Sequence, residues 1–391
     1  MKFLIDWDVA GLRENPFIIG PPTNPQQAIW AGLKELKGEF KNAFREAKAS
    51  APTQVVLCRG AIGAGKTHAS LFFSSDQNMP ETSPSVQNIE VLRVQTPTET
   101  GNPARDFYLD VIDQIGLDRI GKAIKKNVEA VGRDVVERNL RQTVVSGDFA
   151  NALLKLFEAS PISPGASLPL SAYFLGKCTT TELRKLGLNR NIEKTQDYFR
   201  VLAGVFQCLT GLSESSDVTQ HNRFCLWIDE MENFIYFTPP QYRPFGQGLR
   251  ELVDRLPYFF TLFMNFTLTA PEEYEEIELI LGGYLTDRIT RQVFFHEVKD
   301  QEKLLQYVRE LLCYYRPQEK PKTPYFPFTE DALRALTSNL QHGTPRDVNK
   351  RCRNALMRAF EKGIFEEGKN SEITLKFVQE ISQEELDKEI G

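Results

Sequence analysis

Apolar residues recur along this chain with two different periods, and the switches between them lay out the elements. Residues 26–48 carry Ile29, Leu33, Leu36, Phe40 and Phe44 at helical spacing with charged residues between, so a helix is expected there. Residues 54–58 (Gln-Val-Val-Leu-Cys) are a short β-branched run of the kind buried in a parallel sheet, and 67–73 return to helical spacing. Residues 76–87 are polar and Pro-rich, a surface loop, and 89–94 read as the next strand. Strand, helix and strand in this order predict an α/β fold built on a parallel sheet.

A helix starts at Asn102-Pro103 with the stripe Phe107, Val111, Ile112 and Ile115. From about 117 to 220 the pattern stays helical, with a break at 160–165 (Ser-Pro-Ile-Ser-Pro-Gly) and a long helix over 192–212. One crossover needs far less chain, so a helical insertion is expected. Residues 224–230, 246–256 and 259–269 then read as strand, helix and strand, and 285–295 as a short helix and a last strand. Four further helices are expected at 300–315, 329–340, 345–362 and 373–381, with start signals at Thr329 and Thr344.

With 391 residues, 41% of them hydrophobic, the chain is long enough for two or three domains of ordinary globular type. A net charge of −5 and a pI near 5.7 exclude the overall basic field of a stand-alone nucleic-acid binder and leave only local patches. The six cysteines form no C-x-x-C pair, as in a reduced, cytoplasmic chain. Asp6 and Asp8 interrupt the start, so no signal peptide is expected, and no apolar run has membrane-spanning length.

The chemistry concentrates in two motifs. Gly60, Ala61, Ile62, Gly63, Ala64, Gly65, Lys66 and Thr67 form G-x-x-x-x-G-K-T between the first strand and its helix. The glycines let the backbone bend so that successive N–H groups converge on phosphate oxygens at a helix start. Lys66 then serves the β- and γ-phosphates, Thr67 supplies a hydroxyl to Mg²⁺, and His68 follows among the nucleotide-binding residues. Residues 224–230 (Phe-Cys-Leu-Trp-Ile-Asp-Glu) are a strand ending in two carboxylates, a Walker B motif: Asp229 for Mg²⁺ and Glu230 to activate the attacking water. Glu232 and Asn233 are expected to be structural.

Around these motifs the chain resembles AAA+ ATPases. Pro16-Phe17-Ile18-Ile19 resembles the arm that lines the adenine pocket, which implies Phe17 and Ile18 beside the base. The resemblance implies a γ-phosphate sensor among Asn265, Thr267 and Thr269, with Thr269 preferred as nearest the strand's end. It implies an arginine finger, Arg288 or Arg291, from the likeness of 285–295 to origin-recognition-like proteins; an ion pair with the acidic run 272–278 is the structural alternative. Gly343-Thr344-Pro345-Arg346 is similar to the sensor 2 position, which makes Arg346 the residue folded over the phosphates. Tyr173-Phe174-Leu175-Gly176, with 180–187 and the helix after them, resembles ATP-binding proteins of bacteriophage-exclusion systems. The expected architecture is thus a P-loop core of AAA+ type over 51–299 with the insertion at about 117–220, preceded by an arm and helix (1–50) and followed by a helical lid (300–391).

These readings imply an ATPase using ATP and Mg²⁺, oligomeric in its ATP state, serving a prokaryotic DNA-processing system such as anti-phage restriction or DNA modification. The alternatives are a loader or transposition regulator oligomerising on DNA, and an ATP-gated switch acting on a protein partner. Origin-recognition proteins carry a winged helix after the lid, and none is expected here. DNA contact is therefore expected from basic residues of the insertion: Lys122, Lys125, Lys126, Arg133, Arg138, Arg141, Arg184, Lys185 and Arg190.

Overall fold

The structure, a computed structural model, describes residues 5–390 except 23, 50–51, 76–77, 79–88, 99–100, 160–167, 212–220, 268–273, 318–322, 341 and 367–371. The loop expected at 76–87, apart from Asn78, and the break at 160–165 lie outside the described residues.

After two 3₁₀ turns (Asp8–Ala10 and Pro25–Gln27) come α1 (Lys34–Ala49), β1 (Gln54–Gly60), α2 (Lys66–Phe73) and β2 (Ile89–Gln95). Seven helices follow: α3 (Pro103–Ile115), α4 (Leu117–Val131), α5 (Arg133–Val144), α6 (Gly147–Glu158), α7 (Leu168–Phe174), α8 (Thr180–Lys185) and α9 (Thr195–Thr210). Then come β3 (Arg223–Asp229), α10 (Pro239–Arg255), β4 (Phe260–Thr267), α11 (Tyr274–Leu281), α12 (Gly283–Thr286) and β5 (Arg291–Phe295). The last helices are α13 (Gln301–Tyr315), α14 (Glu330–Thr337), α15 (Pro345–Glu361) and α16 (Leu375–Ile390). The five strands form one sheet in the order β2-β3-β4-β1-β5, with β2–β3 and β3–β4 parallel. This is the expected α/β architecture, with helices α3–α9 between β2 and β3 and a helical C-terminal region. The expected helix over 26–48 begins only at Lys34, because Gly32 and Leu33 take positive φ (56° and 44°) and break the helical path.

Two compact units divide the chain: 1–38, 60–72 and 294–391 in one, 39–59 and 73–293 in the other. In the second unit every residue of β3 is buried, which explains its unbroken apolar run. Its alternate residues serve two faces. Phe224, Leu226 and Ile228 belong to the core shared with the insertion helices. Trp227 points the other way, stacked on Phe263 at 4.4 Å and packed with Phe40 and Phe44 of α1. The insertion is gathered around α9, twelve of whose sixteen residues are buried. In the first unit, α13–α16 share a core with Ala10, Leu12 and Phe17 of the N-terminal arm. Among the described residues no helix is long and apolar enough to cross a membrane.

The packing of α10 on α9 leaves no room for a methyl group at Gly248, where a Cβ would run into the ring of Phe199. That ring is held edge-on to Phe245 at 5.3 Å and stacked on Phe107 at 6.1 Å, so it cannot step aside. Gly248→Ala should therefore destabilise the protein by about 1–3 kcal/mol, overriding alanine's better helix propensity, in denaturant unfolding.

Candidate phosphate loop and carboxylate cluster

The phosphate loop lies in the first unit. Gly63 and Gly65 hold φ of +79° and +103°, values that side chains with a Cβ resist. Lys66, buried at the start of α2, turns its ammonium back to the loop and donates to the carbonyls of Gly60 (2.7 Å) and Ala61 (2.9 Å). The cation thus sits under the curve of the loop. Gly60 and Gly63 are needed for a further reason. A Cβ at Gly60 would strike Phe295, the last residue of β5, and one at Gly63 would come within 2.7 Å of the Arg346 Cβ.

Arg346 is placed by the start of α15. Gly343 turns the chain with φ +56°, Thr344 caps the helix in a reciprocal box with Asp347, and Pro345 opens the first turn. The Arg346 N–H then reaches the Gly63 carbonyl at 3.4 Å. One turn on, Asn349 donates to the Ile18 carbonyl at 2.7 Å, which fastens the N-terminal arm beside Arg346.

Phe17 and His68 both take part in packing the N-terminal arm. Phe17 is fully buried and packs edge-on against Phe328 at 5.8 Å in the core of the first unit; Ile18 is exposed. The His68 imidazole is tied to the Ile29 carbonyl at 2.5 Å, and burial lowers its pKa, so the neutral ring anchors the arm.

The second unit carries the carboxylates. Asp229 is 1% exposed at the end of β3, and its oxygens are fully engaged. Oδ1 accepts from Asn265 Nδ2 at 2.9 Å and from the Glu230 N–H at 3.1 Å, while Oδ2 accepts from Arg93 at 2.6 Å. Asn265 in turn accepts from the Trp227 indole N–H at 2.9 Å. The Asp229 carbonyl takes both the N–H and the hydroxyl of Thr96 at 2.9 Å. Of the three sensor candidates, Asn265 is therefore the one brought to Asp229. Thr267 uses its N–H to hold Glu232 at 3.0 Å, and Thr269 lies outside the described residues.

Glu230 stands in the left-handed region at φ 59°, a strained turn for glutamate that starts the 3₁₀ turn Met231–Tyr236. Burial raises its carboxyl pKa, and the nearby charges of Asp229 and Glu232 raise it further. Mg²⁺ is ordinarily held by one or two carboxylates together with substrate phosphates. Asp229, a single buried carboxylate at a strand end, fits that donor set; among the described residues no three His, Cys, Asp or Glu side chains gather into a metal cage.

Both finger candidates are ion-paired within the chain, to carboxylates outside the acidic run 272–278, part of which lies outside the described residues. Arg288 Nε lies 2.9 Å from Asp254, and Arg291 pairs with Glu46. Many basic residues of the insertion are likewise engaged: Lys122 with Asp118, Arg133 with Glu158, Arg141 with Glu137 and Arg190 with Asp197. Lys125 and Lys126 are exposed on α4. Arg93 and Thr96 carry no motif of their own; the one signal in the sequence is that Arg93 is the single cation of β2, Ile-Glu-Val-Leu-Arg-Val-Gln.

No family model matches the chain, and no curated protein matches it. Among solved structures it is similar to the ORC1 protein of Aeropyrum pernix in complex with DNA, at 10% identity and a TM-score of 0.46, over 95% of this chain and 69% of that one. It is also similar to Drosophila ORC bound to DNA, at 12% identity and a TM-score of 0.47, over 94% of this chain and 63% of that one. The chain thus spans less than two thirds of the length of the fly chain.

Asn265→Ala strands the buried Trp227 indole N–H and takes one of two donors from Asp229 Oδ1, and should cost about 1–3 kcal/mol in chemical denaturation. A raised Glu230 pKa means that the folded state binds this proton more tightly than the unfolded one, so stability is lost as pH rises from the ordinary glutamate value through the raised one. Glu230→Gln removes that loss. The variant should melt above wild type at neutral pH, with the gap closing as pH falls towards about 4.3.

Proposed function

We propose that this chain is an Mg²⁺-dependent ATPase of AAA+ type. The observation that carries the reading is the phosphate loop itself, with Lys66 drawn under its curve and Arg346 laid on Gly63. Loop N–H groups from Gly60 to Thr67 and the Lys66 ammonium bind the phosphates, and Arg346 adds a second, planar cation. Thr67 and Asp229 are the metal ligands, Thr67 through its hydroxyl. The metal, when bound, screens the phosphate oxygens and stabilises the charge that develops during transfer. Glu230 takes a proton from water, the water oxygen bonds to the γ-phosphorus, and the bond to the β–γ bridging oxygen breaks to release ADP and phosphate. Asn265 holds Asp229 and is the proposed sensor.

Arg288 and Arg291 are the candidate fingers for a neighbouring copy's nucleotide, and either would exchange its own carboxylate for a γ-phosphate. That both are paired within the chain favours a second reading beside the first, an ATP-gated switch that turns over slowly until it assembles. A place in DNA processing, anti-phage defence included, rests on the resemblance of 173–212 and on exposed cations such as Lys125 and Lys126. Neutralising these two should flatten the salt dependence of any DNA binding by about one unit per lost phosphate contact.

Lys66→Ala should abolish ATP binding in a calorimetric titration. Glu230→Gln should bind ATP with Mg²⁺ at near wild-type affinity and lose turnover by roughly a hundredfold or more in a phosphate-release assay. Normal turnover in the glutamine variant would remove Glu230 from the reaction.

A further inference from the structure

We propose that Arg93 is a positioning residue that competes with Mg²⁺ for the Asp229 carboxylate, so that the metal must displace a built-in guanidinium to reach its ligand. The inference rests on the reading of Asp229 as a metal ligand. It begins from the sharing of the carboxylate oxygens. Oδ1 is committed to Asn265 and to the Glu230 backbone, both neutral donors that hold the group without neutralising it. Oδ2 has one donor among the described residues, Arg93 at 2.6 Å, and that donor carries a full charge. A buried carboxylate with no counter-charge is costly, so without metal Arg93 is the group that makes a charged Asp229 tolerable there.

Mg²⁺ and the guanidinium therefore want the same charge and the same oxygen. The fold gives the arginine a way out. β2 is an edge strand of the sheet, and the Arg93 side chain is 19% exposed although its partner is 2% exposed. Register sets Arg93 beside Trp227 and Gln95 beside Asp229, so the guanidinium reaches two residues along the neighbouring strand to make the pair. Metal entry would thus move a positive charge away from Asp229. Arginine suits this role because it stays charged whatever the pH and bonds carboxylates through a planar fork.

The test uses the full chain and a fluorescent methylanthraniloyl derivative of a non-hydrolysable ATP analogue, titrated with MgCl₂ at fixed analogue concentration. Arg93→Gln should lower the half-saturating Mg²⁺ concentration roughly fivefold or more, the lower end of ordinary coupling between sites. Arg93→Lys, which keeps the charge on a shorter group, should fall between that variant and wild type. An unchanged or higher Mg²⁺ requirement in Arg93→Gln overturns the proposal. Should the glutamine variant fail to fold, wild type crystallised with Mg²⁺ and the analogue decides the matter: a guanidinium moved off Asp229 supports competition, and an intact Arg93–Asp229 pair overturns it. If wild type binds no analogue with or without Mg²⁺, the nucleotide reading itself fails. Normal binding with a Mg²⁺ requirement insensitive to Arg93 removes only the competition.

Discussion

A carboxylate buried to 1% exposure at the end of an apolar strand cannot stand alone, and much of the second unit is arranged around that constraint at Asp229. Three neighbouring segments contribute. β4 brings Asn265, β2 brings Arg93, and the residues just after β2 bring Thr96. Trp227 of the same strand is drawn in as well, since its indole N–H saturates Asn265 while its ring stacks on Phe263. The aromatic layer on one face of the sheet and the polar cluster at the strand ends are therefore one structure. Order in the first fixes the donor geometry of the second.

The phosphate loop obeys a different constraint, that of close approach. Backbone groups can converge on a phosphate only where no Cβ stands in the way, and here the neighbours of the loop are as tight as the loop itself. Phe295 closes over Gly60, and the stem of Arg346 closes over Gly63. The start of α15 is in turn set by the turn at Gly343 and the box between Thr344 and Asp347. A helix cap more than 270 residues along the chain therefore decides where the arginine against Gly63 stands.

The arginines of this protein show how little residue type says without a partner. Arg93, Arg288 and Arg291 each sit on a carboxylate of the same chain, yet their settings differ. The Arg93 pair is largely buried, where breaking it leaves an uncompensated charge. The Arg288 pair is solvent-exposed and weak by nature, so exchange for another anion is easy. The insertion's cations are mostly of the second kind, solvated helix faces laced by ion pairs.

What the sequence determined by itself follows from local rules. Period-two and period-3.6 patterning placed the strands and most helices, because burial on a given face repeats with the backbone's own geometry. The loop from Gly60 to Thr67 and the pair Asp229-Glu230 were legible because each is contiguous, and contiguous motifs need no knowledge of the fold. The cap at Thr344 was legible for the same reason. Tertiary structure alone decided the rest. It turned Phe17 into the core, tied His68 to Ile29, chose Asn265 over Thr267 as the partner of Asp229, and supplied Arg93 from a strand more than 130 residues away. None of these can be read from spacing, since each depends on which side chains a sheet order and a strand register bring within hydrogen-bond reach. Those distances are set by packing between segments that sequence leaves far apart.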